Sequence, residues 1–251
     1  MTDTPTPEDS HDDLSDEAAA SSEAVAANEA PIFPELEYPN DTLEAALARR
    51  SLELPTEQVS LLRRYAELLW DWNEKINLTR HTTWEKFVGR DLVDSLAVAA
   101  ELPQKSRILD VGTGGGVPGL MLKIVRPDLD VVLSDTTAKK IRVLDEIVNR
   151  LGLAVIVHHG RAEELLKTRT MNDLVVRAVA PLEKLITWFN PVHQKFDRLL
   201  IIKGPSWVQE RYEARQKHLL EKWHLRKLSE WPLPGTNGQS VLLEIKRRDK
   251  K

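Results

Sequence analysis

The chain has 251 residues, no cysteine and a net charge of −4. Its length suits one large domain, or a domain with an appendage. The lack of cysteine excludes disulfides, cysteine-bound zinc and cysteine nucleophiles, and no apolar run approaches the roughly 20 residues of a membrane span. With no signal peptide expected, these features point to the cytoplasm.

Residues 1–40 hold eleven acids and no Lys or Arg, which leaves +7 for the rest of the chain. This first segment, poor in large apolar groups, is expected to be a disordered acidic tail. The basic remainder suits a polyanionic partner such as nucleic acid. Residues 41–104 are expected to form a helical cap. Asp41 and Glu44 have capping-box spacing, Thr56 is placed to cap a second helix, and Val59, Leu62, Tyr65, Leu69 and Trp72 recur at helical spacing. A further helix runs near 90–100.

From residue 105 to 251 the pattern becomes short apolar strands alternating with amphipathic helices. Strands are predicted at 107–111, 131–134, 154–158, 174–176, 199–202, 225–229 and 241–246, and helices at 118–125, 139–151, 162–167, 182–189 and 207–222. Such alternation implies an α/β fold: a mainly parallel, Rossmann-like sheet with helices on both faces.

The first of these strands runs into Asp110-Val-Gly-Thr-Gly-Gly-Gly-Val-Pro-Gly119. Gly112, Gly114 and Gly116 let the backbone approach a ligand without a Cβ in the way, and Pro118 fits the start of a following helix whose N–H groups point back at that ligand. Residues 114–119 also satisfy Gly-x-Gly-x-x-Gly, so a dinucleotide has to be weighed. Asp110 argues against one. A pyrophosphate is repelled by a carboxylate, whereas the ammonium and sulfonium of S-adenosylmethionine are not. Asp135, ending the second strand, suits the ribose hydroxyls of either ligand.

The loop resembles that of the RsmG (GidB) family, bacterial methyltransferases that modify N7 of a guanine in 16S ribosomal RNA. Further blocks agree in order: Trp72-Asn73 with Asn77-Leu78-Thr79, Asp94-Ser95-Leu96, Arg126-Pro-Asp128, Asp135 with Lys139-Lys140, Gly160-Arg-Ala-Glu-Glu164, Arg177-Ala-Val-Ala180 and Lys203-Gly204. The resemblance covers about 43–246. It implies S-adenosylmethionine as cofactor, with Asp110, Gly112, Gly114, Gly116 and Val117 around the pocket, Asp135 on the ribose and Ala162 and Glu163 beside the adenine. Arg177 would reach cofactor or target, and Asn77 and Lys203 the RNA side. It also implies 16S rRNA or the small subunit as partner. Relatives usually carry a histidine where this chain has Asp91, and the acidic tail is no part of the family pattern.

The chemistry is compatible with this resemblance. Methylation of a pyrimidine C5 needs a cysteine nucleophile, absent here, and no Asn/Asp-Pro-Pro-Tyr segment follows the fourth strand. Guanine N7 presents a free lone pair and no proton, so positioning and electrostatics suffice without a general base. Arg177 stands at the ligand-binding end of such a sheet, with Glu163, Glu164 or Asp173 as alternative ion-pair partners, and its replacement by Ala is expected to spare the fold. His158 and His159, adjacent on a strand, face opposite sides and are not expected to share a metal. Most tryptophans read as core, with Trp72 and Trp84 also able to stack on bases. A small-molecule methyltransferase and a non-enzymatic RNA-binding protein are the competing readings, a dehydrogenase a more distant one. A monomer is expected.

Overall fold

The computed structural model describes residues 38, 40–233 and 237–248. The acidic segment therefore lies, up to residue 37, outside the described residues, as do Asp249, Lys250 and Lys251. The described residues form one unit, the helical layer sharing a core with the sheet.

Four helices come first: α1 (Leu43–Ala48), α2 (Thr56–Asn73), the short α3 (Trp84–Lys86) and α4 (Val93–Glu101), with a π-helical turn at Phe87–Leu92 running into α4. The cap of α1 is Thr42, whose hydroxyl accepts from the Ala45 N–H at 3.1 Å. Asp41 is drawn off to Arg49 at 2.7 Å and Glu44 to Arg63, so the expected capping box does not form. Thr56 is the first residue of α2 rather than its cap, which is Pro55 and makes no side-chain hydrogen bond. On α2, Leu62, Tyr65, Ala66 and Leu69 fall on one face and are buried. Trp84 packs edge-on against Trp70, with ring centroids 4.6 Å apart, so its ring belongs to the core.

The sheet holds β1 (Arg107–Val111), β2 (Asp130–Asp135), β3 (Val155–His159), β4 (Asp173–Arg177), β5 (Arg198–Lys203), β6 (Trp223–Pro232) and β7 (Gln239–Arg247), in the order β3-β2-β1-β4-β5-β7-β6. The first five strands pair in parallel, and β7 lies antiparallel to both β5 and β6. Between them run α5 (Gly119–Val125), α6 (Ala138–Leu151), α7 (Ala162–Leu165), α8 (Leu182–Phe189) and α9 (Trp207–Gln216). α9 ends six residues before the predicted boundary, at Lys217 and the turns after it.

Period-two alternation explains the two cores. Ile108, Val175 and Leu200 face the layer built by α1, α2, α4, α5 and α6, while their neighbours Leu109, Leu174 and Leu199 face α8 and α9. On α6, Val143, Leu144, Ile147, Val148 and Leu151 make the buried stripe, and Gly152 closes the helix at φ +67°. The Arg126-Pro-Asp128 block pins the far end of the sheet. Its guanidinium pairs with Asp128 at 2.8 Å and donates to the carbonyls of Ala99, Leu102 and Pro103. Strand order reverses between β1 and β4, so the loops leaving their C-terminal ends diverge. That crevice is where open α/β sheets bind ligands.

Candidate active site

The glycine loop fills one side of this crevice, and its shape is set from inside the protein. Asp110 is 1% exposed, and its Oδ2 accepts from the Thr113 hydroxyl at 2.6 Å and the Gly119 N–H at 2.8 Å. Its carboxylate is thus turned into the loop it closes, not outward beside a methionine moiety as expected. Burial raises its pKa to about 6, against the opposing pull of Thr113 and Gly119. The other oxygen, Oδ1, is buried without a partner. The start of α5 is likewise satisfied internally. The Gly119 N–H goes to Asp110 and the Leu120 N–H to the Gly116 carbonyl at 2.7 Å, so the first two N–H groups of this helix, expected to point at a ligand, are taken up within the protein. Pro118 precedes the helix as its cap residue.

The three glycines differ in what they face. A Cβ on Gly112 would meet Val179 at 2.7 Å, and one on Gly116 would meet the Tyr65 hydroxyl at 3.0 Å and Leu144 at 3.1 Å. At Gly114, with φ +57°, a Cβ would come no nearer than 4.0 Å to anything, and that contact is the Gly112 carbonyl. The space kept clear lies over Gly114. Val117 does not face it, because its side chain is packed into the core shared with the helical layer. Tyr65 clamps the loop from α2, donating to the Gly115 carbonyl at 2.8 Å.

Asp135 brackets the same space from β2. Its Oδ2 accepts from the Gly114 N–H at 3.0 Å and its Oδ1 from the Thr137 N–H at 2.8 Å. Gly160 sits beside it, its N–H on the Asp135 carbonyl at 3.0 Å, and brings in α7. There Ala162 is buried and Glu163 pairs with Arg161 at 3.2 Å. From the helical layer, Asn73 Oδ1 accepts from the N–H groups of Leu78 (2.8 Å) and Thr79 (2.9 Å), which folds the 74–79 loop. Asn77 on that loop is exposed, in a cleft shared with Lys139 and Lys140.

Opposite lies the end of β4. Arg177 Nη1 is 2.7 Å from Asp91 and 3.2 Å from Asp94, so none of the expected partners Glu163, Glu164 and Asp173 holds it. Asp173 is at the other end of the strand, bound to Arg198 at 2.5 Å. Trp231 donates to Asp94 at 3.0 Å. His81 Nδ1 stands 2.7 Å from the Asp91 carboxylate. An imidazole is therefore present beside residue 91, supplied by residue 81. Burial alone would lower the Arg177 pKa, but the charges of Asp91 and Asp94 outweigh it and raise it. Asp94 is raised by burial, with Arg177 opposing. His81, Asp91, Asp94 and Tyr65 were not selected as site residues from the sequence. The available signals were the unusual Asp91 and the place of Asp94 in the Asp94-Ser95-Leu96 block. Lys203 is engaged too, with Nζ 2.6 Å from the Ala180 carbonyl and 2.8 Å from Glu210, which makes it a tie between loops rather than a free RNA-facing charge.

The profile of the GidB family, described as rRNA small subunit methyltransferase G, matches residues 58–231. The chain belongs to this family. A relative named ribosomal RNA small subunit methyltransferase G from Rhodopirellula baltica is 46% identical over 190 residues, 76% of this chain and 82% of that one. A Clostridium novyi relative of the same name is 35% identical over 214 residues, 82% and 88% of the two chains. Among solved structures, a mutant of MtNAS aligns with a TM-score of 0.50 at 18% identity, covering 82% of each chain, a likeness of fold. No helix among the described residues is long and apolar enough to cross a membrane.

Proposed function

We propose that the chain transfers a methyl group from S-adenosylmethionine to N7 of a guanine in 16S ribosomal RNA, at the crevice between β1 and β4. Methylation of small-subunit ribosomal RNA is the activity of the family to which it belongs. The observation that carries the site assignment is the clear space over Gly114, framed by the carboxylate of Asp135 and the end of β4.

The residues present fit the donor. S-adenosylmethionine, when bound, supplies an electrophilic methyl on a sulfonium. Gly114 gives its backbone close approach, as a larger residue would fill the cradle. Asp135 has one lone pair of each oxygen already fixed by an N–H, which orients the carboxylate for ribose hydroxyls. Ala162 and Glu163 would flank the adenine. Asp110 and Tyr65 act one step back by holding the loop's path. Arg177, held by Asp91 and Asp94 with its charge countered, would fix the shape of the strand end where the target base would stand. Attack by the N7 lone pair on a methyl needs alignment and a dry, preorganised surround, and no proton has to be removed first. Action as a monomer, with the helical layer before residue 105 serving as a cap on the sheet within one unit, belongs to the same proposal.

Mass spectrometry of 16S rRNA from a strain lacking the gene tests the reading. The expected result is loss of one N7-methylguanine, restored by the wild-type gene. Undiminished methylation refutes it.

A further inference from the structure

Helix α9 begins four residues after the C-terminal end of β5, beside the crevice, and its outer face is unusual. Four large hydrophobic side chains among the described residues stand out as exposed, and two of them, Val208 (52%) and Tyr212 (57%), lie one turn apart on α9. Of its ten residues only Ala214 is buried. Arg211 and Arg215, also one turn apart, run along the same side, and the Arg211 guanidinium sits 5.1 Å from the centre of the Trp207 ring. Neither arginine pairs with an acid among the described residues. The acids of the helix are occupied elsewhere: Glu210 turns inward to Lys203 and to the Leu182 N–H at 2.9 Å, and Glu213 takes the Gln209 amide at 2.9 Å.

We infer that this face of α9, centred on Arg211, Tyr212 and Arg215, is a docking surface for unpaired ribosomal RNA next to the target guanine. The inference rests on the function proposed above. The exposed Tyr212 ring, beside two guanidinium groups that pair with no acid among the described residues, matches a base and phosphates together, the combination that binds single-stranded RNA. Tyr and Arg also serve protein interfaces, and the comparison of naked rRNA with assembled subunits below separates the two occupants. The helix is also fixed relative to the reaction end. Lys203 bonds the Ala180 carbonyl and Glu210, and Glu210 accepts from the Leu182 N–H, so α9 is tied to the far end of the loop that follows Arg177. RNA lying on α9 would reach the crevice at a set distance.

The test uses the full chain, unmodified 16S rRNA and assembled small subunits from an unmethylated strain. Filter binding, methyl transfer and calorimetry with S-adenosylmethionine are read in parallel. Arg211→Glu with Arg215→Glu is expected to raise the KM for rRNA at least tenfold and to flatten the salt dependence of RNA affinity by about 1.4 in log–log slope, roughly 0.7 for each lost phosphate contact. Tyr212→Ala is expected to weaken RNA binding about fivefold or more. Donor affinity and kcat should match wild type. Variants that bind and methylate rRNA as wild type does would overturn the inference. So would variants that lose assembled subunits but keep naked rRNA, which would assign the face to a ribosomal protein. Because RNA binding is read apart from methylation, a wild type that binds RNA through α9 without methylating it would refute the proposed function alone.

Discussion

At Gly114 the backbone needs φ +57° while the direction of a side chain is clear, so one position reports both conformation and occupancy. Gly114→Val is expected to lower stability by about 1–2 kcal/mol and to abolish calorimetric binding of S-adenosylmethionine. Gly152 supplies the control. It has φ +67° with nothing within 4 Å, at the far end of α6, and Gly152→Ala should carry a similar stability loss with normal donor affinity. Asp110 makes a prediction in pH. Its folded pKa of about 6 lies above the ordinary aspartate value of 3.8, so the folded state holds this proton more tightly than the unfolded one. The stability it contributes is complete below pH about 4 and is lost as pH rises through about 6, by roughly 3 kcal/mol. Urea denaturation at pH 4, 5, 6 and 7 should show that difference between wild type and Asp110→Asn, with no further change above pH 7.

At the level of elements, the β4 end and the π-turn before α4 depend on each other. Asp91 and Asp94 are both buried and both rely on Arg177 Nη1. Arg177→Ala leaves two buried carboxylates without their counter-charge, so a loss of about 3–5 kcal/mol is expected by denaturant titration. This replaces the expectation, drawn from sequence, that the substitution spares the fold. Arg177→Lys keeps the charge but loses the planar fork, and should retain more stability than activity. At the join of the π-turn and α4, the Ser95 hydroxyl donates to the Asp91 carbonyl at 2.7 Å, one turn back, where it competes with the helical ladder. Tyr65→Phe removes the clamp on the Gly115 carbonyl. It should weaken donor binding severalfold in calorimetry while the neighbouring core, built on the same ring, stays packed.

Across the whole molecule, Ile108, Val131 and Leu133 of the sheet share one core with Leu43, Leu62 and Leu69 of the helical layer. Thermal unfolding followed by tryptophan fluorescence, whose seven reporters lie both in the helical layer (Trp70, Trp72, Trp84) and with the sheet (Trp188, Trp207, Trp223, Trp231), and by far-ultraviolet circular dichroism should therefore give single, coincident transitions. Separate transitions would mean that the helical layer is independent of the sheet.

Much of this architecture was legible in the sequence because it is set at short range. The alternation of Ile108 with Leu109, and of Leu174 with Val175, sets two sheet faces within a few residues, and the spacing of Val143, Ile147 and Leu151 sets a helix. Glycine at 112, 114 and 116 after a strand marks a tight turn whatever surrounds it. Local spacing could not show which of those glycines faces open space, because Val179, Tyr65 and Leu144 reach the loop from elsewhere in the chain. Nor could it show that Arg177 meets Asp94, 83 residues away, or that Lys203 is taken by Glu210. Strand pairing and helix packing bring these charges together, and once they are buried the need for a counter-charge decides the partner. The sequence by itself determined the strand–glycine-loop–helix unit and the cofactor class it suits. Only the tertiary structure decided which side chains frame the crevice and which merely hold it in shape.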